Sequence, residues 1–274
     1  MSLPLPTSLS PSKVSTFKDC ALAFRFSAID KLPEPSSLPA VKGTTVHKAL
    51  ELLFDAQPQD RTLPAAQQCL ETALAMITAE EDYQSLELNP SQAQAFATDA
   101  SKMVDRYFAL ENPSSITAVG TEMMLETHLG SLLVRGIIDR LEEDENGGLV
   151  VTDYKTGRTP SPAQEQQRLG GVHFYAFLCE KVLGRRPAKV QLMYLGGNPQ
   201  IITALPSEQS VRGIEKKVGA VWSAIERACA DEDFRPKKSA LCNWCAFQAY
   251  CPEFGGDPNL ARELGAAARG QGAR

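Results

Sequence analysis

The chain has 274 residues, 43% of them hydrophobic and 22% charged, with a formal net charge of −5. That is enough apolar material for a full core, while the acidic balance excludes a generic charge-driven nucleic-acid coat and still leaves room for a local basic groove. No apolar run is long enough to span a membrane, and the opening MSLPLPTSLSPSK lacks a basic start followed by an apolar stretch, so the expectation is a cytoplasmic protein with no signal peptide and no membrane partner.

Residues 9–27, LSPSKVSTFKDCALAFRFS, open with turn chemistry, and a serine caps a short helix whose apolar side is Val14, Phe17 and Leu22. Residues 31–40 are rich in Pro and Ser and read as a loop. KGTTVHKALELLFD then predicts a helix capped by Thr44 or Thr45, with Val46, Ala49, Leu50, Leu53 and Phe54 as its buried stripe. His47 and Glu51, four apart, share another face of it. Two more helices are predicted. One runs over about 65–80 with Ala66, Cys69, Leu70, Ala73, Met76 and Ile77 inward; the other runs over about 91–110 with Phe96, Ala100, Met103 and Tyr107 inward.

From residue 116 the pattern changes to alternating β-formers. Gly130-Ser131 divides residues 116–142 into two strands, Glu145-Asn146-Gly147-Gly148 is a turn, and LVVTDYK is a third strand. Residues 162–183 return to helical spacing, with Leu169, Val172, Ala176, Cys179 and Leu183 on one side. Residues 188–197 form a strand that pairs with QIITALP, and a helix follows from Glu208 to about Ala230. From Gly255 the chain is rich in Gly, Ala and Arg and is expected to fray. This order predicts an α/β fold with a mixed sheet.

Asp139 lies seven residues before Asn146 and Asp153 seven after it. An antiparallel hairpin therefore sets them opposite each other at about 5 Å, and Lys155 shares their face. Two facing carboxylates repel unless a cation lies between them. Plainer readings exist for each part: a solvated strand end at Asp139-Arg140, an exposed ion pair at Asp153 and Lys155, a solvated helix histidine at His47. The combination favours a divalent-cation site.

There are seven cysteines, an odd number that argues against a disulfide framework. Cys69, Cys179 and Cys229 fall in apolar helical patterns and read as small buried hydrophobes. Cys242-x2-Cys245-x5-Cys251 is followed by proline, and Cys20 is the candidate fourth thiol. Spacing alone leaves Zn²⁺ and a 4Fe–4S cluster equally open.

GTTVHKALE, GIIDRLE and VVTDYKTG, in this order and behind LSPSKVSTFKDCALAFRF, resemble the motifs of RecB-family nucleases in the PD-(D/E)XK superfamily, over about Ser10 to Phe254. The resemblance implies a single restriction-endonuclease-like domain over 9–254, with a mixed central sheet flanked by helices. Within it fall a helical part at about 44–112, a sheet core at about 116–205, and an iron–sulfur subregion joining 10–27 to 208–254; residues 255–274 would be a flexible tail. It implies a metal-dependent exonuclease acting on single-stranded DNA or DNA ends in repair or recombination. Asp139, Asp153 and Lys155 would be catalytic, Lys155 positioning or activating the attacking water. His47, Asp139, Asp153 and the backbone carbonyl of Tyr154 would ligate Mg²⁺ or Mn²⁺. Glu122, in the preceding strand, has no direction fixed by sequence.

The family carries a Gln four residues before a Tyr in the helix after DYK. Here the Tyr is Tyr175 and position 171 is Gly; Tyr175, Arg168 and His173 are the candidate DNA contacts. The early cysteine with a C-x2-C-x5-C-P tail is similar to the iron–sulfur members, including AddB-type subunits and CRISPR-adaptation nucleases. That similarity implies a 4Fe–4S cluster on Cys20, Cys242, Cys245 and Cys251, stapling the N-terminal helix to the C-terminal segment and shielded by Trp244, Phe247 and Tyr250. Two alternatives stand beside this reading: a CRISPR spacer-processing nuclease, and a DNA-end-binding module with a weakened site. The sequence holds no GxxxxGK[ST], so processive action would need a partner helicase.

Overall fold

The structure, a computed structural model, describes residues 2–271, with side chains described except at 162–170 and 266–271. Ser10 accepts from the Lys13 N–H and caps α1 (Pro11–Asp19), and Pro11 occupies its first turn, where a missing N–H costs nothing. α2 (Ala21–Phe24) runs into a single π-type turn, Arg25–Asp30, that ends on left-handed Lys31.

The next helix starts earlier than its threonines suggest. α3 (Leu38–Asp55) is capped by Ser37, with Pro39 in its first turn. Thr44 and Thr45 lie inside it, donating to the carbonyls of Ala40 and Val41. The end of the Pro/Ser-rich segment is thus helix rather than loop.

Thr62 caps α4 (Leu63–Ile77), whose buried stripe is Ala66, Leu70 and Ala73. Met76, expected inward, is 47% exposed, because the stripe ends a turn before the helix does. The one-turn α5 (Glu81–Gln84) precedes α6 (Pro90–Leu110), which Asn89 and Gln92 start with a capping box. α6 buries Phe96, Ala100, Met103, Val104 and Tyr107.

Then come β1 (Thr117–Leu129), β2 (Leu132–Glu143), β3 (Leu149–Arg158), α7 (Pro162–Leu183), β4 (Lys189–Gly196), β5 (Gln200–Ala204) and α8 (Glu208–Asp231). The segment expected to fray from Gly255 instead forms α9 (Pro258–Gln271), which buries Ala261. Alanine and arginine are strong helix formers, and Gly265 passes so close to the Asp30 carbonyl that a Cβ would collide with it.

The sheet has five strands in the order β1-β2-β3-β4-β5. β2–β3 and β4–β5 are antiparallel and β3–β4 is parallel, with α7 as the crossover, so the sheet is mixed and the fold is α/β. β3 is buried along most of its length, as a central parallel strand requires.

The chain divides into two compact units, each built from separate segments. One comprises Met1–Pro35, Glu126–Arg135 and Gly213–Arg274. In it Leu9 makes a short parallel bridge to Val134, and the Leu3 N–H reaches the Cys229 carbonyl. The other comprises Ser36–Leu125 and Gly136–Arg212. Its core joins α3, α4 and α6 to the strands through Val46, Leu50, Leu53, Leu70, Tyr107, Tyr154 and Met193. That core holds α3 against β3 and fixes the side chains described next. No helix among the described residues is long and apolar enough to cross a membrane.

Candidate active site

β2 and β3 pair Arg140 with Thr152, which sets Asp139 opposite Asp153 one step further along the ladder. Alternation gives the two faces different chemistry. Asp139, Asp153 and Lys155 share one face; Arg140, Thr152 and Tyr154 share the other.

On the first face Asp139 Oδ2 accepts the Tyr154 N–H at 2.6 Å. Lys155 Nζ pairs with Asp153 Oδ2, and the Tyr175 hydroxyl donates to Asp153 Oδ1 at 3.2 Å. From α3, His47 places Nε2 3.1 Å from the Tyr154 carbonyl and Nδ1 3.5 Å from Asp139 Oδ2. The carbonyl only accepts, so Nε2 carries the proton and Nδ1 turns its lone pair toward Asp139. Two acceptors facing each other at that distance need a proton or a cation between them.

Glu122 completes the group. One ligand atom each from His47, Glu122 and Asp139 lie within 4.8 Å of one another. Glu122 gets there through a backbone distortion: its φ is +46°, left-handed, within an otherwise extended strand. A non-glycine residue held so is strained, and such a kink re-aims a side chain. Period-two alternation cannot show this, so the direction of Glu122 is invisible at the level of sequence.

Burial and crowded carboxylates set the electrostatics of the site. Burial, then the neighbouring Asp153 carboxylate, push the Asp139 carboxyl up to about 7. Burial and Asp139 likewise raise Glu122, and burial lowers His47. All three groups are driven toward their neutral forms. Burial also works against the Lys155 ammonium, but Asp153 and Asp139 outweigh it and hold Lys155 above its ordinary value. Burial and Asp153 keep the Tyr175 hydroxyl protonated.

The opposite face carries a buried ionic network. Arg140, fully buried, forks onto Glu111, pairs with Glu142, and donates to the hydroxyls of Tyr154 at 2.8 Å and Tyr107 at 3.2 Å. Its guanidinium also lies over the Phe54 ring, 4.7 Å from the centroid. Tyr154 is therefore held at both ends: its phenol by Arg140, its peptide by Asp139 and His47.

The sequence-predicted residues do not all converge. His47, Asp139, Asp153, Tyr154 and Lys155 do. Asp153 faces Lys155 and Tyr175 rather than joining the compact His47, Glu122 and Asp139 group, and the Tyr154 carbonyl is engaged by His47. Tyr175 reaches the site through Asp153 and not as a free surface contact. His173, two residues away, is set about 200° around α7 from Tyr175 and is half-buried. The Arg168 side chain lies outside the described residues. Gly171 is exposed, with open space where a side chain would start.

In the other unit, Cys20, Cys242, Cys245 and Cys251 line one cavity of about 250 Å³ with Phe26 and Phe247. Phe247 is buried and packs edge-on against Phe26, as does Tyr250. Trp244, expected to shield this region, is 87% exposed. The short 3-10 turn Ala240–Trp244 brings Cys242 and Cys245 to the cavity and leaves Trp244 at its exposed rim. Cys179 and Cys229 are buried and Cys69 half-buried, none of them at this cavity.

The profile of the PD-(D/E)XK nuclease superfamily matches residues 8–252. A crystal structure of a candidate exonuclease from Eubacterium rectale superposes with a TM-score of 0.56 at 11% identity, covering 87% of this chain and 87% of that one. A second solved structure, SSO0001, has a TM-score of 0.39 at 14% identity and covers 88% of this chain and 95% of that one. No curated protein matches the sequence. At these identities the structural likeness concerns the fold alone.

Proposed function

The chain belongs to the PD-(D/E)XK nuclease superfamily, and from that premise we propose a divalent-metal-dependent exonuclease of the RecB type, acting on single-stranded DNA or DNA ends. The observation that carries this reading is the His47, Glu122 and Asp139 group, crowded enough to raise both of its carboxyls above their ordinary values, beside a protonated Lys155. Imidazole and carboxylate donors suit Mg²⁺ or Mn²⁺. His47, Glu122 and Asp139 would hold the cation, with Asp153 and the Tyr154 carbonyl beside them. When bound, it supplies Lewis-acid polarisation of the phosphoryl group and offsets the site's negative charge.

The chain's own groups do the rest. The Lys155 ammonium donates to a non-bridging phosphate oxygen as charge builds there and orients the attacking water. Because Lys155 stays protonated at neutral pH, it acts as a donor and not as a base. Tyr175 keeps Asp153 turned toward Lys155.

The test is cleavage of end-labelled single- and double-stranded DNA with Mn²⁺ or Mg²⁺, wild type beside Asp153→Ala and Lys155→Ala. Loss of cleavage in both variants, with their fold retained, is the expected result. An inactive wild type that still binds DNA ends would point instead to a binding module. Gly171 favours that second reading, since it removes a side chain that family members place one turn before Tyr175. Gly171→Gln, for which there is space, should lower KM for DNA if weakened grip is the reason.

For the cysteine cavity we propose a 4Fe–4S cluster on Cys20, Cys242, Cys245 and Cys251. Four half-buried thiols around one cavity provide a suitable donor set. Tetrahedral zinc on the same four thiols is the alternative occupant.

A further inference from the structure

A second cavity, of about 430 Å³, opens in the same unit as the candidate active site. Its walls are Pro39 and Lys42 of α3, Asp99, Met103 and Arg106 of α6, Thr156–Arg158 of β3, and Gly196-Gly197 at the end of β4. We propose that this pocket is a docking subsite for the sugar–phosphate backbone of a nucleic-acid strand, taking phosphates next to the one that reacts beside Lys155. The inference rests on the nuclease reading above and adds a binding site to it.

Three cations line the pocket against one carboxylate. Lys42 pairs with Asp99 at 3.1 Å, and Asp99 is itself half exposed. Arg106 donates through one nitrogen to the Leu195 carbonyl, which fixes its guanidinium at the wall. Arg158 is exposed and, among the described residues, has no ion-pair or hydrogen-bond partner. A phosphate oxygen is the ligand that matches mobile and fixed cations around a polar cleft.

Position supplies the second argument. Lys155 and Arg158 stand on one strand, three residues and at most about 10 Å apart. The β3–β4 register slips between these two residues. Such a bulge re-aims side chains next to an active site.

Glycine shapes the floor. A Cβ on Gly196 would lie 2.3 Å from the Thr156 carbonyl oxygen and 2.4 Å from that of Gly157, so only glycine lets β4 close against the bulge. The result is a cleft walled by main chain and cations, in which Met103 and Pro39 are the only apolar side chains.

The test measures binding of a fluorescent oligothymidylate by anisotropy over a range of salt, without divalent cation so that no cleavage occurs. The proteins are wild type, Lys42→Gln/Arg158→Gln, Arg158→Lys, and Arg212→Gln as a charge control away from the pocket. The double variant should lower the slope of log K against log salt by about 1.4, since each phosphate no longer neutralised takes away about 0.7. Arg158→Lys and Arg212→Gln should keep the wild-type slope. With Mn²⁺, hydrolysis of thymidine 5′-(4-nitrophenyl phosphate), too short to reach the pocket, should be unchanged in the double variant while KM for the oligonucleotide rises.

A double variant that binds with the wild-type slope overturns the proposal, as does an Arg212→Gln variant that loses as much. If wild type shows the pocket-dependent slope but cleaves neither substrate, the pocket stands and the nuclease reading falls. If wild type binds no oligonucleotide, both fall.

Discussion

Asp139 and Tyr154 are locked together through the main chain: the Tyr154 N–H donates to Asp139 Oδ2 at 2.6 Å, while the carbonyl of Tyr154 meets His47. One residue of β3 thus orients two candidate cation ligands, from β2 and from α3. In the metal-free protein that carboxyl keeps its proton up to about 7, against an ordinary 3.8. Between those values the folded chain binds more protons than the unfolded one, so metal-free stability should fall as pH rises from about 4 to about 7. A bound cation expels the proton, so Mn²⁺ affinity should climb with pH over the same window and level off above it. Calorimetry near pH 6 in two buffers of different ionisation heat should show about one to two protons released per Mn²⁺. Affinity that is flat with pH across this window would remove Asp139 from the ligand set.

Tyr175→Phe deletes one hydroxyl and leaves the ring. If that hydroxyl orients Asp153, kcat should drop about tenfold with KM little changed, the mark of lost positioning. A rise in KM alone would return Tyr175 to the role of a DNA contact.

Arg140→Met should be among the most destabilising single changes in the chain. It leaves Glu111 and Glu142 without their shared counter-ion in a buried setting, which costs about 3–5 kcal/mol. Adding Glu111→Gln and Glu142→Gln should recover part of that loss, since the penalty comes from stranded charge. Denaturant unfolding of the single and triple variants checks both statements.

Protein purified without oxygen should be brown and carry about four irons per chain. Cys20→Ser and Cys251→Ser should lose the colour, and Cys69→Ser should keep it. Trp244→Ala should keep it as well, because Trp244 lies at the cavity rim, 87% exposed, and is not one of the four thiols. A colourless protein holding one zinc would sink the cluster.

The hairpin register was legible because a turn fixes it: counting from Asn146 gives the pairing of Arg140 with Thr152 that the strands adopt, one step short of Asp139 and Asp153. The helical stripes of α3 and α6 were legible for the same reason, periodicity reporting burial. Three features were not. The start of α3 was hidden because Ser37 and Pro39 look like loop chemistry and are also a cap and a first turn. Glu122 was hidden because its aim depends on a left-handed kink that strand alternation does not predict. The Arg140 network was hidden because a buried arginine in a strand reads as a solvated strand end until Glu111, from the end of a distant helix, is brought to it.

The left-handed backbone at Glu122 sets cation grip and thermal endurance against each other at a single residue. A glycine there would relax the main chain by about 1–2 kcal/mol and thin out the crowded negative charge around Asp139. The resulting protein should outlast the natural one on heating yet hold its cation poorly. A search for hardier versions of this chain that selects on stability alone would therefore drift toward losing Glu122, and only a screen that also reads cation binding would keep it.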